Sequence, residues 1–156
     1  MAIRSIRLIE RLVLCAAVLA IAVLPAQARA ALGEPAASAS RDADEWHGAI
    51  KSTQRSSYRV HEIRLPSGTI LREFSSVDGP VFAVAWNGPA MPNLRQALGR
   101  YFDDYVRAAE AKHGRRHFQM QTDRFVMQSS GRMRAFSGRA FLPGAIPAGV
   151  TVDELQ

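Results

Sequence analysis

The stretch Val81-Phe82-Ala83-Val84-Ala85-Trp86-Asn87 decides how this chain folds. β-branched and aromatic residues favour a strand here. Alternation puts Phe82, Val84 and Trp86 on one face and Val81, Ala83 and Ala85 on the other. Two apolar faces predict a central strand covered on both sides, with the large face against a helix. The following residues predict that helix. After a loop with two prolines, Gly88 to Pro92, an apolar stripe runs through Leu94, Ala97, Leu98, Tyr101, Phe102, Tyr105, Val106 and Ala109. It predicts one long amphipathic helix over Asn93 to His113, capped by Asn93 and stopped by Gly114. Gly99 lies inside it at a cost of about 1 kcal/mol against alanine. If the stripe is buried, Phe102→Ala should cost about 3–5 kcal/mol.

Upstream, Tyr58 to Leu65 and Thr69 to Ser76 read as strands, with His61, Ile63 and Leu65 on one face. The turns Pro66-Ser67-Gly68 and Val77-Asp78-Gly79-Pro80 make these and the central strand a three-strand meander. Downstream, Arg124 to Ser130 and Arg132 to Phe141 read as a two-strand hairpin turning at Ser130-Gly131. The second of these loses its alternation near Ser137-Gly138, where a bulge is expected. The fold class predicted is therefore α+β: an antiparallel sheet, three-strand meander then two-strand hairpin, with the long helix packed on it. The single domain spans 58–143, followed by an irregular tail over 144–156. Residues 31–57 read as a flexible tail with a short helix, in which Ser40 caps and Ala43, Trp46, His47 and Ile50 share a face.

The chain begins as an export signal. Arg4, Arg7 and Arg11 precede an unbroken apolar run from Leu12 to Leu24. Pro25 ends it, and Ala28-Arg29-Ala30 supplies a small-x-small cleavage pattern. The run falls short of the about 20 residues that span a bilayer. Cleavage after Ala30 is expected, with Ala28 as the alternative, and the product is periplasmic or secreted. The lone cysteine, Cys15, lies inside the run and has the wrong neighbours for lipid attachment. Processing removes Arg4, Arg7, Arg11, Arg29 and Glu10, which halves the formal charge of +6. The mature chain then has no cysteine, which excludes disulfides, catalytic thiols and cysteine metal sites. Its bases are arginines apart from Lys51 and Lys112, and arginine's planar fork suits carboxylate and phosphate.

No catalytic constellation stands out. His113 and His117 are four apart, but Gly114 breaks the helix between them, and Arg115 and Arg116 repel a cation. No metal and no cofactor are expected. Ser137-Gly138 lacks the glycine of a nucleophile elbow. Asp103 and Asp104 diverge on the helix, and no phosphate-cradling glycine loop is present. The most site-like grouping is Arg124, Arg132, Arg134 and Arg139 around the second hairpin, where a ligand anion could bridge them. The alternative is a charged sheet face or edge that blocks strand addition.

Three stretches resemble a known family. They are Val60-His-Glu-Ile-Arg-Leu-Pro-Ser-Gly-Thr-Ile-Leu-Arg-Glu-Phe74, Val81 to Pro89 running on into Pro92-Asn-Leu-Arg-Gln96, and Ser130-Gly-Arg-Met-Arg-Ala-Phe-Ser-Gly-Arg-Ala-Phe-Leu-Pro143. Together they are similar to the bacterial exported proteins catalogued as domain of unknown function 2844. The resemblance implies one small exported domain and assigns no activity or catalytic residue. The expected function is a non-enzymatic periplasmic or secreted binding module for an envelope protein or an anionic lipid or polysaccharide, not for nucleic acid. The alternatives are an envelope or pilus assembly factor that takes a strand on a sheet edge, and a small hydrolase using His61 with a serine or acid brought close by folding.

Overall fold

The computed structural model describes residues 32–35, 44, 46–77, 79–111 and 117–156. Seven strands form one antiparallel sheet: β1 Ala49–Gln54, β2 Tyr58–Arg64, β3 Ile70–Ser76, β4 Val81–Gly88, β5 His117–Gln121, β6 Val126–Arg132 and β7 Ala135–Phe141. Their order is β1-β2-β3-β4-β7-β6-β5. The expected α+β layer of five strands under a long helix is thus overturned. The described residues form a seven-stranded antiparallel sheet crossed by a short, broken helical segment. The two extra strands are the edges. Ala49 and Ile50, expected in a helix or beside it, open β1, and its other residues include the expected connector. Much of that expected helix lies outside the described residues.

Topology explains the helical segment. The first four strands form a meander that ends at β4 in the middle of the sheet. The chain must then reach β5 at the far edge, three strand spacings or about 14 Å away. The segment Leu94–Glu110 makes this crossing. It comprises α1 Leu94–Leu98, a 3₁₀ turn Gly99–Tyr101 and α2 Phe102–Glu110. Asn93 caps α1, its Oδ1 accepting from the Gln96 N–H at 3.3 Å. Gly99 breaks the helix because it sits at φ 51, a left-handed value that glycine tolerates. Leu94, Ala97 and Leu98 are buried, whereas Tyr101, Phe102 and Tyr105 are only partly so. The cost expected for Phe102→Ala falls accordingly. Beyond the break the aromatics hold the far strands: Tyr101 stacks on Phe125 at 5.2 Å, and Tyr105 meets the edge of Phe118 at 5.1 Å.

β4 does lie between two apolar layers, but not with the expected partition. Phe74 pairs with Ala83 and Ser75 with Val81, so Phe82 is an extra residue on β4. This bulge turns Val81 onto the helix face with Val84 and Trp86, and sends Phe82 to the other face with Ala83 and Ala85. The bulge expected near Ser137-Gly138 is absent. β7 keeps regular register there with both β4 and β6. The second hairpin turns at Met133-Arg134, not Ser130-Gly131, with Arg134 at φ 59.

The face opposite the helix is half covered by the C-terminal segment. Residues 143–156 form only short 3₁₀ turns, yet Leu155 is fully buried in a cluster with Tyr58, Phe74, Phe82 and Phe141. Tyr58 donates its hydroxyl to Glu154 at 3.3 Å, and Arg139 donates to the Val152 carbonyl at 2.7 Å. At the other end of the described chain Leu32 is also fully buried, within the helix-side core. Among the described residues no helix is long and apolar enough to cross a membrane.

Candidate functional site

Sheet register builds a polar trough on the half of this face that the C-terminal segment leaves open. The pairings place Lys51, Glu62, Arg72, Ala85, Arg139, Gln128 and Gln119 in one row across all seven strands. The next row contains Asn87, Ser137, Ser130 and His117. Alternation puts both rows on the same face as Ala85. The row on the other side of Ala85 is apolar, with Val60, Phe74, Ala83, Phe141 and Val126, and that is where the C-terminal segment packs.

A cavity of about 770 Å³ opens over the polar rows, with Leu155 and Gln156 as one wall. A second, about 520 Å³, continues towards the β6–β7 turn and shares Asn87, His117, Ser130 and Ser137 with the first. These volumes suit a small molecule or a short oligomer. Arg72 donates Nε to Glu62 at 3.0 Å. Arg139 donates Nε to Gln128 at 3.0 Å and Nη1 to the Val152 carbonyl, with Asp153 at 4.0 Å. Its Nη2 makes no hydrogen bond among the described residues, so the fork keeps donors for a ligand. Ser130 and Ser137 share a 2.9 Å hydroxyl contact on the trough floor.

The four arginines singled out in the sequence are not one cluster. Arg139 lies in the first cavity, and Arg132 and Arg134 line the second. Arg124 lies in the turn before β6, at the opposite end from Arg132, about 26 Å along an extended chain. Sequence spacing does not point to Arg72 at all. Its place beside Arg139 depends on β4 pairing with both β3 and β7, and the second of these contacts joins distant segments.

The histidine pair does not form a helical site either. His113 lies outside the described residues, and His117 opens β5. No group of three or more His, Cys, Asp or Glu that could hold a metal occurs among the described residues. His61 does meet a serine. Its Nδ1 lies 2.7 Å from Ser52 Oγ, across the β1–β2 pairing, and Glu73 is its cross-strand neighbour on β3. The ring is buried, its Nε2 has no hydrogen-bond partner among the described residues, and it lines neither cavity.

Burial pushes His61 below its ordinary 6.5, and the Arg59 charge adds to the depression. The folded state therefore prefers the neutral ring. Below about pH 6.5 the unfolded chain binds the proton more readily, so stability falls as pH drops from there to the lowered folded value. The melting temperature should decline as pH falls below about 6.5, and His61→Gln should flatten part of that slope. Parallel pH profiles for the two proteins would overturn this assignment.

Against known proteins, no curated protein and no solved structure matches the chain. One family's sequence pattern does, over residues 28–155, which takes in both core layers and nearly all of the cavity lining. The chain therefore belongs to the family described as Protein of unknown function (DUF2844).

Proposed function

We propose that this is an exported envelope protein, processed after Ala30 or Ala28, whose open sheet face binds an acidic, hydroxyl-rich ligand such as a uronate oligosaccharide. One observation carries the reading. Arg72 and Arg139 stand in a single register row, beside uncharged hydrogen-bonding side chains at Asn87, Gln128, Ser130 and Ser137. Arginine forks suit carboxylates, and the amides and hydroxyls suit sugar hydroxyls. The hydrolase alternative has the Ser52–His61 contact in its favour. Against it, the contact uses Nδ1, the other ring nitrogen is buried, and neither cavity reaches the pair. The strand-addition alternative would use β1 or β5, the two sheet edges.

Titration with an oligogalacturonate tests the reading. Charge-assisted hydrogen bonds contribute about 1.5–3 kcal/mol each. Arg72→Gln and Arg139→Gln should therefore each weaken binding at least about tenfold, with His61→Gln unchanged. Binding that survives both arginine substitutions would place the ligand elsewhere.

A further inference from the structure

The sheet end at the β6–β7 turn is chemically unlike the opposite end. Met133, at the tip of that turn, is 92% exposed, the most exposed large apolar residue described. Arg132 and Arg134 flank it, both exposed. Register brings further segments to the same end. Gly88 pairs with Phe136, and Asn87 with Ile70, which pairs in turn with Arg64. The loop after β4 thus lies at this end and carries a second exposed methionine, Met91. Residues 64–69, 88–93 and 130–135 contain Arg64, Arg132 and Arg134 but no Asp or Glu, and the acid brought to this end is Asp44, ahead of β1, which starts opposite Arg64. The opposite end mixes both signs, with Glu34 beside Val81, Asp123 before β6 and Glu154 at Tyr58, but also Arg55 and Arg124.

Arg134 is also held at φ 59, where glycine or asparagine sits without strain. An arginine kept there, beside a methionine fully offered to solvent, is not explained by the packing of the hairpin. We propose that this end of the sheet docks on an anionic bilayer surface. Met133 enters the headgroup–acyl boundary, and Arg132, Arg134 and Arg64 face lipid phosphates. One apolar tip with flanking cations adds buried apolar area to electrostatic attraction for anionic lipid. Anionic lipid is favoured over a soluble polyanion because a polyanion gives no reason to expose methionine. Arg132 and Arg134 also line the second cavity, so it is the Met133 variants that separate this proposal from the trough reading.

The test is sedimentation of the mature protein with vesicles of phosphatidylcholine alone or with about one third phosphatidylglycerol, at low salt. Binding to the anionic vesicles alone is expected. Met133→Asp should weaken it at least about fivefold, and Arg132→Ala should weaken it about fivefold. Arg134→Gly should weaken binding similarly while keeping or raising the melting temperature, since glycine relieves the left-handed backbone. In Met133→Trp, vesicles should shift the tryptophan emission to the blue. Equal binding to neutral vesicles, an unaffected Met133→Asp protein, or an unshifted Met133→Trp spectrum would overturn the proposal. So would capture by soluble oligogalacturonate that needs the three arginines but not Met133.

Discussion

A chain starting at Ala36 is expected to be about 3–8 kcal/mol less stable than one starting at Ala31. Leu32 is fully buried in the helix-side core, and losing a buried leucine side chain costs about 2–5 kcal/mol. The backbone around it is equally committed. Leu32 N–H donates to the Ala97 carbonyl at 3.2 Å, Gly33 N–H to the Val81 carbonyl at 2.7 Å, and Val81 N–H to the Glu34 carbonyl at 2.8 Å. Val81 is fully buried, so deletion leaves its N–H without a partner at a further cost of about 1–3 kcal/mol. Set against total stabilities of about 5–15 kcal/mol, this is enough to unfold a marginal domain. Urea denaturation of the two chains measures it, and Leu32→Ala alone should lose about 2–5 kcal/mol. Superimposable curves would show that residues 32–35 are dispensable. The result bears on the proposed processing, because a cut after Ala30 leaves Leu32 as the second residue of the mature chain. The composition of residues 31–40 carries no sign of this role. One leucine among small and polar residues has no periodicity to read.

The parts of the fold legible in the sequence are those with local signals. The apolar faces of β4, the Pro66-Ser67-Gly68 turn and the Asn93 cap depend on neighbours within a few residues. What stays hidden is set by distant contacts. β1 has every residue exposed, so no burial pattern marks it, and it exists because β2 offers an edge. The bulge at Phe82 keeps alternation intact in the sequence and breaks it only in the ladder with β3. Gly99 is legible as a cost but not as a break, since its positive φ follows from the turn the crossing segment makes. As a residue type, arginine is a guide to the site proposed. Grouping by proximity in sequence is not, because Arg124 and Arg132 lie at opposite ends of β6 while Arg72 and Arg139 share a row through β4.

Gly138→Ala is expected to cost at least about 3 kcal/mol, above most overpacking substitutions. Gly138 pairs with Trp86 on β4 and Ser129 on β6. A Cβ there would lie 2.3 Å from Trp86 Cζ2, 2.7 Å from Cε2 and 2.8 Å from the Gln128 carbonyl oxygen. The indole lies across the glycine, and with Trp86 only 2% exposed it has nowhere to swing. The carbonyl is tied to the β6–β7 pairing, so it yields only if the ladder deforms. A glycine inside a strand marks such a close approach. Trp86→Leu, itself destabilising, removes both ring contacts. The double variant should therefore be more stable than the sum of the two losses by about 1–3 kcal/mol. Strict additivity would mean that the carbonyl alone sets the cost and that the ring is incidental. The substitution also reaches the trough, since Ser137 and Arg139 flank Gly138 on the other face and move with its backbone. Oligogalacturonate binding should weaken in Gly138→Ala even where the protein remains folded, and recover in part when Trp86→Leu restores the room beneath.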